Sequence, residues 1–207
     1  MEITWLGRTC FRLKGRERTV VTDPCPPDSG FQLGKLSGDI LTLSRRDDPA
    51  YSYVKGVGGD PFILDAPGEY EVGGVLVTGI ATKGPGDSRN VVFIIEIDGM
   101  RIAHLGVISQ AGVAHLDDVK GVDILLLPAG NGNSIGGAVA ADLMTTIDAK
   151  LCIPMNFRAN GETMEGIETL ERFLKETSAR PEPEQKITIT RSQLPSELSV
   201  RVLEPHP

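Results

Sequence analysis

The chain has 207 residues, with 21 lysines and arginines against 28 aspartates and glutamates, for a net charge of −7. That length suits one medium domain with a sizeable core, and the acidic balance leaves no electrostatic footprint for nucleic acid or an anionic membrane. Cys10, Cys25 and Cys152 show no CxxC or CxxxC spacing, so they offer neither a zinc knuckle nor a disulfide framework and fit a reducing cytoplasm. The opening "MEITWLGRT" lacks an apolar core of signal-peptide length. No run approaches the ~20 apolar residues of a membrane span, so a cytoplasmic location is expected.

Short apolar runs dominate the first half. "EITWL", "TVVTD", "DILTLS", "FILDA", "GVLVTGI", "NVVFIIEI" and "RIAHLG" are rich in β-branched residues and punctuated by Gly and Pro, and each predicts a strand. Asp98-Gly99 is the strongest hairpin signal, and Gly73-Gly74 in "YEVGGVLV" predicts a second turn. After about residue 115, helical spacing alternates with buried-looking strands: "AHLDDVKG", "VDILLLPAG", "IGGAVAADLMTTID", "KLCIPMNF", "TMEGIETLERFLKETS". The last of these places Met164, Ile167, Leu170 and Leu174 on one core-facing stripe, and Ser134 is the expected N-cap of the helix before it. Beyond the polar connector "SARPEPEQ", the tail returns to a strand pair, "KITITRS" and "ELSVRVLE". The expectation is one α/β domain over 1–207, two sheets face to face with helices outside.

In order and spacing, "ITWLGRTCFRL", "VVTDP", "DILTLS", "APGEYEVGGVLVTGI", "EIDGMRIAHLG", "VDILLLPAG" and "KLCIPMNF" resemble the metallo-β-lactamase-fold hydrolases over residues 2–205. The branch most similar is that of ascorbate-phosphate lactonase and its Zn-dependent relatives. "PGEYEVGGV" together with "HLG" and "IPM" is the most specific part. The resemblance implies a four-layer αβ/βα sandwich with a two-metal Zn or Mn site along one edge of the sheets. It further implies a His-x-His-x-Asp-His loop after a strand, a histidine after "VTGI", a bridging aspartate after "HLG" and a histidine after "IPM". Two such metals share a water, lower its pKa and stabilise charge developing on the substrate.

At those positions this chain has other residues. In "SRRDDPAYS" the four loop slots hold Arg45, Asp47, Pro49 and Ala50, or end on Ala50 and Tyr51 if the register is anchored on Pro49 and Ser52. The slot after "VTGI" falls at Thr82 or Lys83, the bridging aspartate is Val107, the residue after "IPM" is Asn156, and Arg8 stands where relatives show histidine in "WLGHSCF". Arginine has no acceptor, and valine, alanine and proline side chains donate no lone pair.

The remaining chemistry-bearing residues are expected in structural roles. His104 is expected to be a packed, hydrogen-bonded strand histidine, and His115 and His206 surface residues. Asp47 and Asp48 read as turn acids paired with Arg45 or Arg46, and Asp23 as a carboxylate fixing the turn that ends "VVTDP". Cys10 and Cys152 read as buried small hydrophobes, whereas Cys25 in "DPCPP" is expected in a loop that could be exposed. The Gly-rich "PAGNGNSIGG" lacks the Lys-Ser/Thr ending of a P-loop.

The functional expectation is a degenerate superfamily member without catalytic residue, metal or cofactor. Its former metal pocket comprises Arg8, Arg45, Asp47, Asp48, Tyr51, Lys83, His104 and Asn156. Either an arginine–aspartate network plugs that pocket and the protein serves as a scaffold, or the cations await a small anionic metabolite. The alternative is a metal-dependent hydrolase of lactonase or phosphoester type, using an unusual Asp47/Asp48/His104 set. Exposed strand edges leave room for an oligomer.

Overall fold

A computed structural model describes residues 1–205, the His115 side chain excepted. The readings of His115 and His206 therefore lie outside the described residues. The strands are β1 (Glu2–Gly7), β2 (Cys10–Lys14), β3 (Thr19–Thr22), β4 (Ile40–Thr42), β5 (Phe62–Leu64), β6 (Gly68–Val72), β7 (Val75–Lys83), β8 (Arg89–Ile97), β9 (Met100–His104), β10 (Ile124–Pro128), β11 (Leu151–Met155), β12 (Ile187–Thr188) and β13 (Ser199–Val200). Helix α1 (Gly137–Ile147) links β10 to β11, and α2 (Glu171–Thr177) follows β11. Among the described residues the strands form two sheets, in the orders β12-β1-β2-β3-β4-β5 and β13-β11-β10-β9-β8-β7-β6.

Alternation of side chains decides which face is covered by what. On β3 and β4, Val20 and Ile40 join the main core, while their neighbours Val21 and Leu41 join a second cluster on the opposite face with Cys25, Phe31, Leu36 and Val57. Loops and 3-10 turns, rather than α-helices, supply that second cluster's outer wall. In the other sheet, β10 and β11 run parallel and are buried along their whole length, as continuous apolar strands covered on both faces should be. Both predicted hairpins form, with Gly73 and Gly74 at φ 57° and 84°, and Asp98 and Gly99 at 53° and 75°. These left-handed pairs are what a two-residue turn between twisted strands needs.

Several local expectations are corrected. "AHLDDVKG" holds the end of one 3-10 turn, Gln110–His115, and a second, Asp117–Val119, and no α-helix. In "TMEGIETLERFLKETS" only Glu171–Thr177 is α-helical, because Gly166 sits at φ 78° and breaks the spacing. The C-terminal strands do not pair with each other: β12 adds to β1 and β13 to β11, one on each sheet. The cap of α1 is Gly136, without a side-chain cap bond. Ser134 turns instead to the site described below. Cys25 is buried like Cys10 and Cys152. No helix among the described residues is long and apolar enough to cross a membrane.

Candidate functional site

The strands of both sheets deliver the resemblance's slot residues to one edge, where two buried polar groups form. The inner group starts at Asp23, just past β3, and Ser44, just past β4. Ser44 donates to Asp23 through its backbone N at 2.7 Å and its Oγ at 2.5 Å. His104, at the end of β9, donates through Nε2 to the Thr9 carbonyl at 2.8 Å, and its Nε2 stands 3.9 Å from Asp23 Oδ2. Asn90 donates to Thr82 Oγ1 and the Leu105 carbonyl and accepts from Val107 N at 3.0 Å. All these side chains are buried. Burial pushes the Asp23 carboxyl up against the opposing pull of His104 and Ser44, and burial lowers the His104 pKa against the opposing pull of Asp23. With Nε2 donating to the Thr9 carbonyl, His104 is a packed, hydrogen-bonded strand histidine.

Gly106 holds this inner group together by lacking a side chain. It lies at φ 60°, and a Cβ there would come within 2.5 Å of Ser44 Cβ and 2.6 Å of Asn90 Oδ1. Asp23 itself takes φ 38°, consistent with the turn-fixing role read from "VVTDP".

The rim group gathers Arg8, Tyr51 and Asn156 with three residues that the slot reading did not find, Glu162, Asn133 and Ser134. Arg8 Nε and Nη2 donate to Glu162 Oε1 at 3.3 and 3.1 Å, while Nη1 donates to the Ala50 carbonyl at 3.4 Å. Both members of this ion pair are buried, at 6 and 0% side-chain exposure. Tyr51 is fully buried, and burial raises its phenol pKa, opposed by the bond from Asn133 Nδ2. Asn156 Nδ2 donates to Asn133 Oδ1 at 3.1 Å and Ser134 Oγ at 3.2 Å. Met164 leaves its predicted core stripe and packs its sulfur against Asn133 and Tyr51. Arg8 and Asn156 are left-handed, at φ 50° and 52°; for arginine this costs about 1–2 kcal/mol.

The other predicted pocket residues lie outside the rim group. Arg45 pairs with Asp48 at 3.3 Å, and Asp48 Oδ1 accepts from Ala50 N at 3.0 Å, the turn role expected of it. Arg46 turns to Asp65, not to Asp47 or Asp48. Lys83 is exposed and pairs with Asp87 at 3.2 Å, so its charge faces solvent. The partner of the buried arginine is thus a glutamate from a distant loop, and neither an aspartate of the 44–52 loop nor an open place for an anion, the two alternatives the sequence left. No local signal marks Glu162: "ANGETM" reads as any polar turn.

These residues do not fit a divalent metal. Among the described residues no three His, Cys, Asp or Glu side chains converge as a metal would require. Asp23 Oδ2 and His104 Nε2 stand 3.9 Å apart and are engaged with Ser44 and Thr9, while His104 Nδ1 has no hydrogen-bond partner. At the rim, a cation would meet the Arg8 guanidinium.

The family model described as the Beta-lactamase superfamily domain matches residues 2–156. The chain belongs to the β-lactamase superfamily. It is 27% identical over 206 residues to a UPF0173 metal-dependent hydrolase of Methanoculleus marisnigri, covering 86% of this chain and 91% of that one. A UPF0173 protein of Pyrococcus furiosus is 24% identical over 202 residues, covering 87% and 92%. Among solved structures, a candidate Zn-dependent hydrolase of the metallo-β-lactamase superfamily from Thermotoga maritima superposes with a TM-score of 0.79 at 30% identity, covering 98% of each chain. The two-sheet architecture of this superfamily member is therefore that of the metallo-β-lactamase fold.

Proposed function

We propose that this chain is a non-catalytic member of the superfamily that acts as a metal-free scaffold or interaction protein. The observation that carries the reading is the bonding of the slot residues to one another and to their neighbours. Arg8 is engaged by Glu162, Tyr51 and Asn156 share Asn133, and Arg45 is engaged by Asp48. A hydrolytic site of the superfamily type needs several lone-pair donors converging on a metal and its water; at this rim Asn156 Oδ1 and Glu162 Oε2 have no hydrogen-bond partner, and among the described residues no set of three His, Cys, Asp or Glu side chains joins them. The name of the Methanoculleus marisnigri relative carries metal-dependent hydrolysis, and this chain differs from the superfamily pattern at the ligand positions. Three free, buried cysteines suit a reducing cytoplasm.

The test is direct. Protein purified without chelator or added metal should hold less than ~0.1 equivalent of zinc, manganese or iron, and should leave lactone and phosphoester panels unhydrolysed. Stoichiometric metal, or turnover lost on chelation, overturns the reading in favour of the hydrolase.

A second reading, capture of a small anion, rests on one pocket. Ser44, Arg45, Arg46, Asp47, Asp48, Asp65, Ser88 and Arg89 surround about 90 Å³, room for a phosphate or carboxylate group held by guanidinium forks. A thermal shift with phosphate or phosphosugars that disappears in Arg45→Ala supports it; an unmoved melting temperature favours the scaffold.

A further inference from the structure

Arg8 lies on the β1–β2 turn, yet its guanidinium bonds two other segments. Nη1 reaches the Ala50 carbonyl in the loop after β4, at 3.4 Å. Nε and Nη2 reach Glu162, and Nη2 also reaches Thr163 Oγ1 at 3.5 Å, in the segment after β11. That segment is in turn anchored: Glu162 Oε1 accepts from Met164 N at 2.8 Å, and Thr163 Oγ1 donates to the Asp28 carbonyl at 3.0 Å. The Arg8 carbonyl accepts from Trp5 Nε1 and from Asn156 N, both at 2.9 Å. One residue thus joins the turn, the loop holding the four slots and the end of the strand carrying the last slot.

We infer that the Arg8 guanidinium is the built-in substitute for a metal ion at this edge, a fixed cation that ties three loops together. Joining loops at a sheet edge requires a positive centre surrounded by acceptors. A metal recruits side-chain lone pairs, which is why its loop needs imidazoles. A guanidinium carries five N–H donors in a rigid fork and is satisfied by carbonyls and a carboxylate. The loop can then supply a backbone oxygen, and Ala50 does so although its side chain has nothing to give. Pro49 and Ala50 are accordingly tolerated where ligands would be required. Glu162 balances the charge, so the cation is permanent and neither a bound metal nor a bound anion is needed to hold the loops.

This goes beyond the absence of catalysis, because it assigns a structural task to one side chain, and the two are tested apart. Metal content and turnover of the unaltered protein test the non-catalytic reading. The inference is tested in Arg8→Ala, Arg8→Lys and Glu162→Gln by thermal melting and hydrogen exchange. Arg8→Ala should lower the melting temperature by roughly 10 °C, and exchange in 48–52 and 159–164 should rise together, by about tenfold or more. Arg8→Lys keeps the charge without the fork and should restore only part of the protection; it also serves if Arg8→Ala does not fold. Millimolar methylguanidinium should raise the melting temperature of Arg8→Ala, and zinc should not. The inference is overturned if Arg8→Ala and Arg8→Lys melt like the unaltered protein, if only one of the two segments loosens, or if zinc replaces methylguanidinium in the rescue.

Discussion

The inner and rim groups lie at the same edge but are built differently. In the inner group, the strand ends bind one another: Asp23 holds the backbone N of Ser44, Asn90 holds Val107 N, and His104 holds the Thr9 carbonyl. In the rim, side chains mostly hold other side chains, Arg8 to Glu162 and Tyr51 to Asn133 to Asn156. The inner group fixes the connections where they leave the strands, and the rim, through Arg8, ties the outer stretches of those loops to one another. In "SRRDDPAYS" the first residue thus belongs to the inner group, and the Ala50 carbonyl and Tyr51 hydroxyl belong to the rim.

The comparison breaks most severely at Asp23. Asp23→Ala leaves two buried donors of Ser44 without an acceptor and should cost about 4 kcal/mol in urea unfolding, with loosening of the 44–52 loop by hydrogen exchange. Gly106→Ala forces a left-handed alanine against Ser44 and Asn90 and should cost roughly 2–3 kcal/mol. If either change is silent, the inner group does not shape the loops.

Two rim changes should be milder. Tyr51→Phe removes the oxygen acceptor of Asn133 Nδ2, leaving it the Met164 sulfur, and should cost about 1 kcal/mol by the same measurement. Arg45→Ala breaks a partly exposed pair with Asp48 and should stay within about 0.5 kcal/mol. A larger loss than at Gly106 from either change would extend the rim's structural role beyond Arg8.

Acid sharpens the contrast without altering the backbone. The folded pKa of His104 lies below the ordinary 6.5 because of burial, so the unfolded chain binds the proton more readily. His104's contribution is complete above pH 6.5 and is lost as pH falls through that value towards the folded pKa. The urea midpoint should therefore drop between pH 7.5 and about pH 5, and His104→Gln, which can still donate to Thr9 O, should flatten that drop. An equal drop in the variant would place the acid sensitivity elsewhere.

Most of the sheet framework was legible from local pattern: β-branched runs between β1 and β11, and two hairpins whose turn residues announced themselves. The tail was misread because "KITITRS" and "ELSVRVLE" alternate like partners, while their pairing depends on which sheet edge each one reaches. The α2 segment was overextended because helical spacing outweighed Gly166. Of the residues named through their slots, Arg8, Tyr51 and Asn156 come together at one edge, while His104 bonds the Thr9 carbonyl and Asp23 the start of the Ser44 loop. Glu162 and Asn133 were not found, since nothing local distinguishes them from other polar loop residues.

By itself, the amino-acid sequence determined the alternation that makes the two sheets and the side-chain chemistry at each slot, because periodicity and donor capacity belong to residues one at a time. Only the tertiary structure decided what the arginine would face. Arg8 and Glu162 stand 154 positions apart, and they meet because the ends of β1 and β11 converge at the same edge of the paired sheets. The acceptors of a buried cation are chosen by that convergence, which no local pattern encodes.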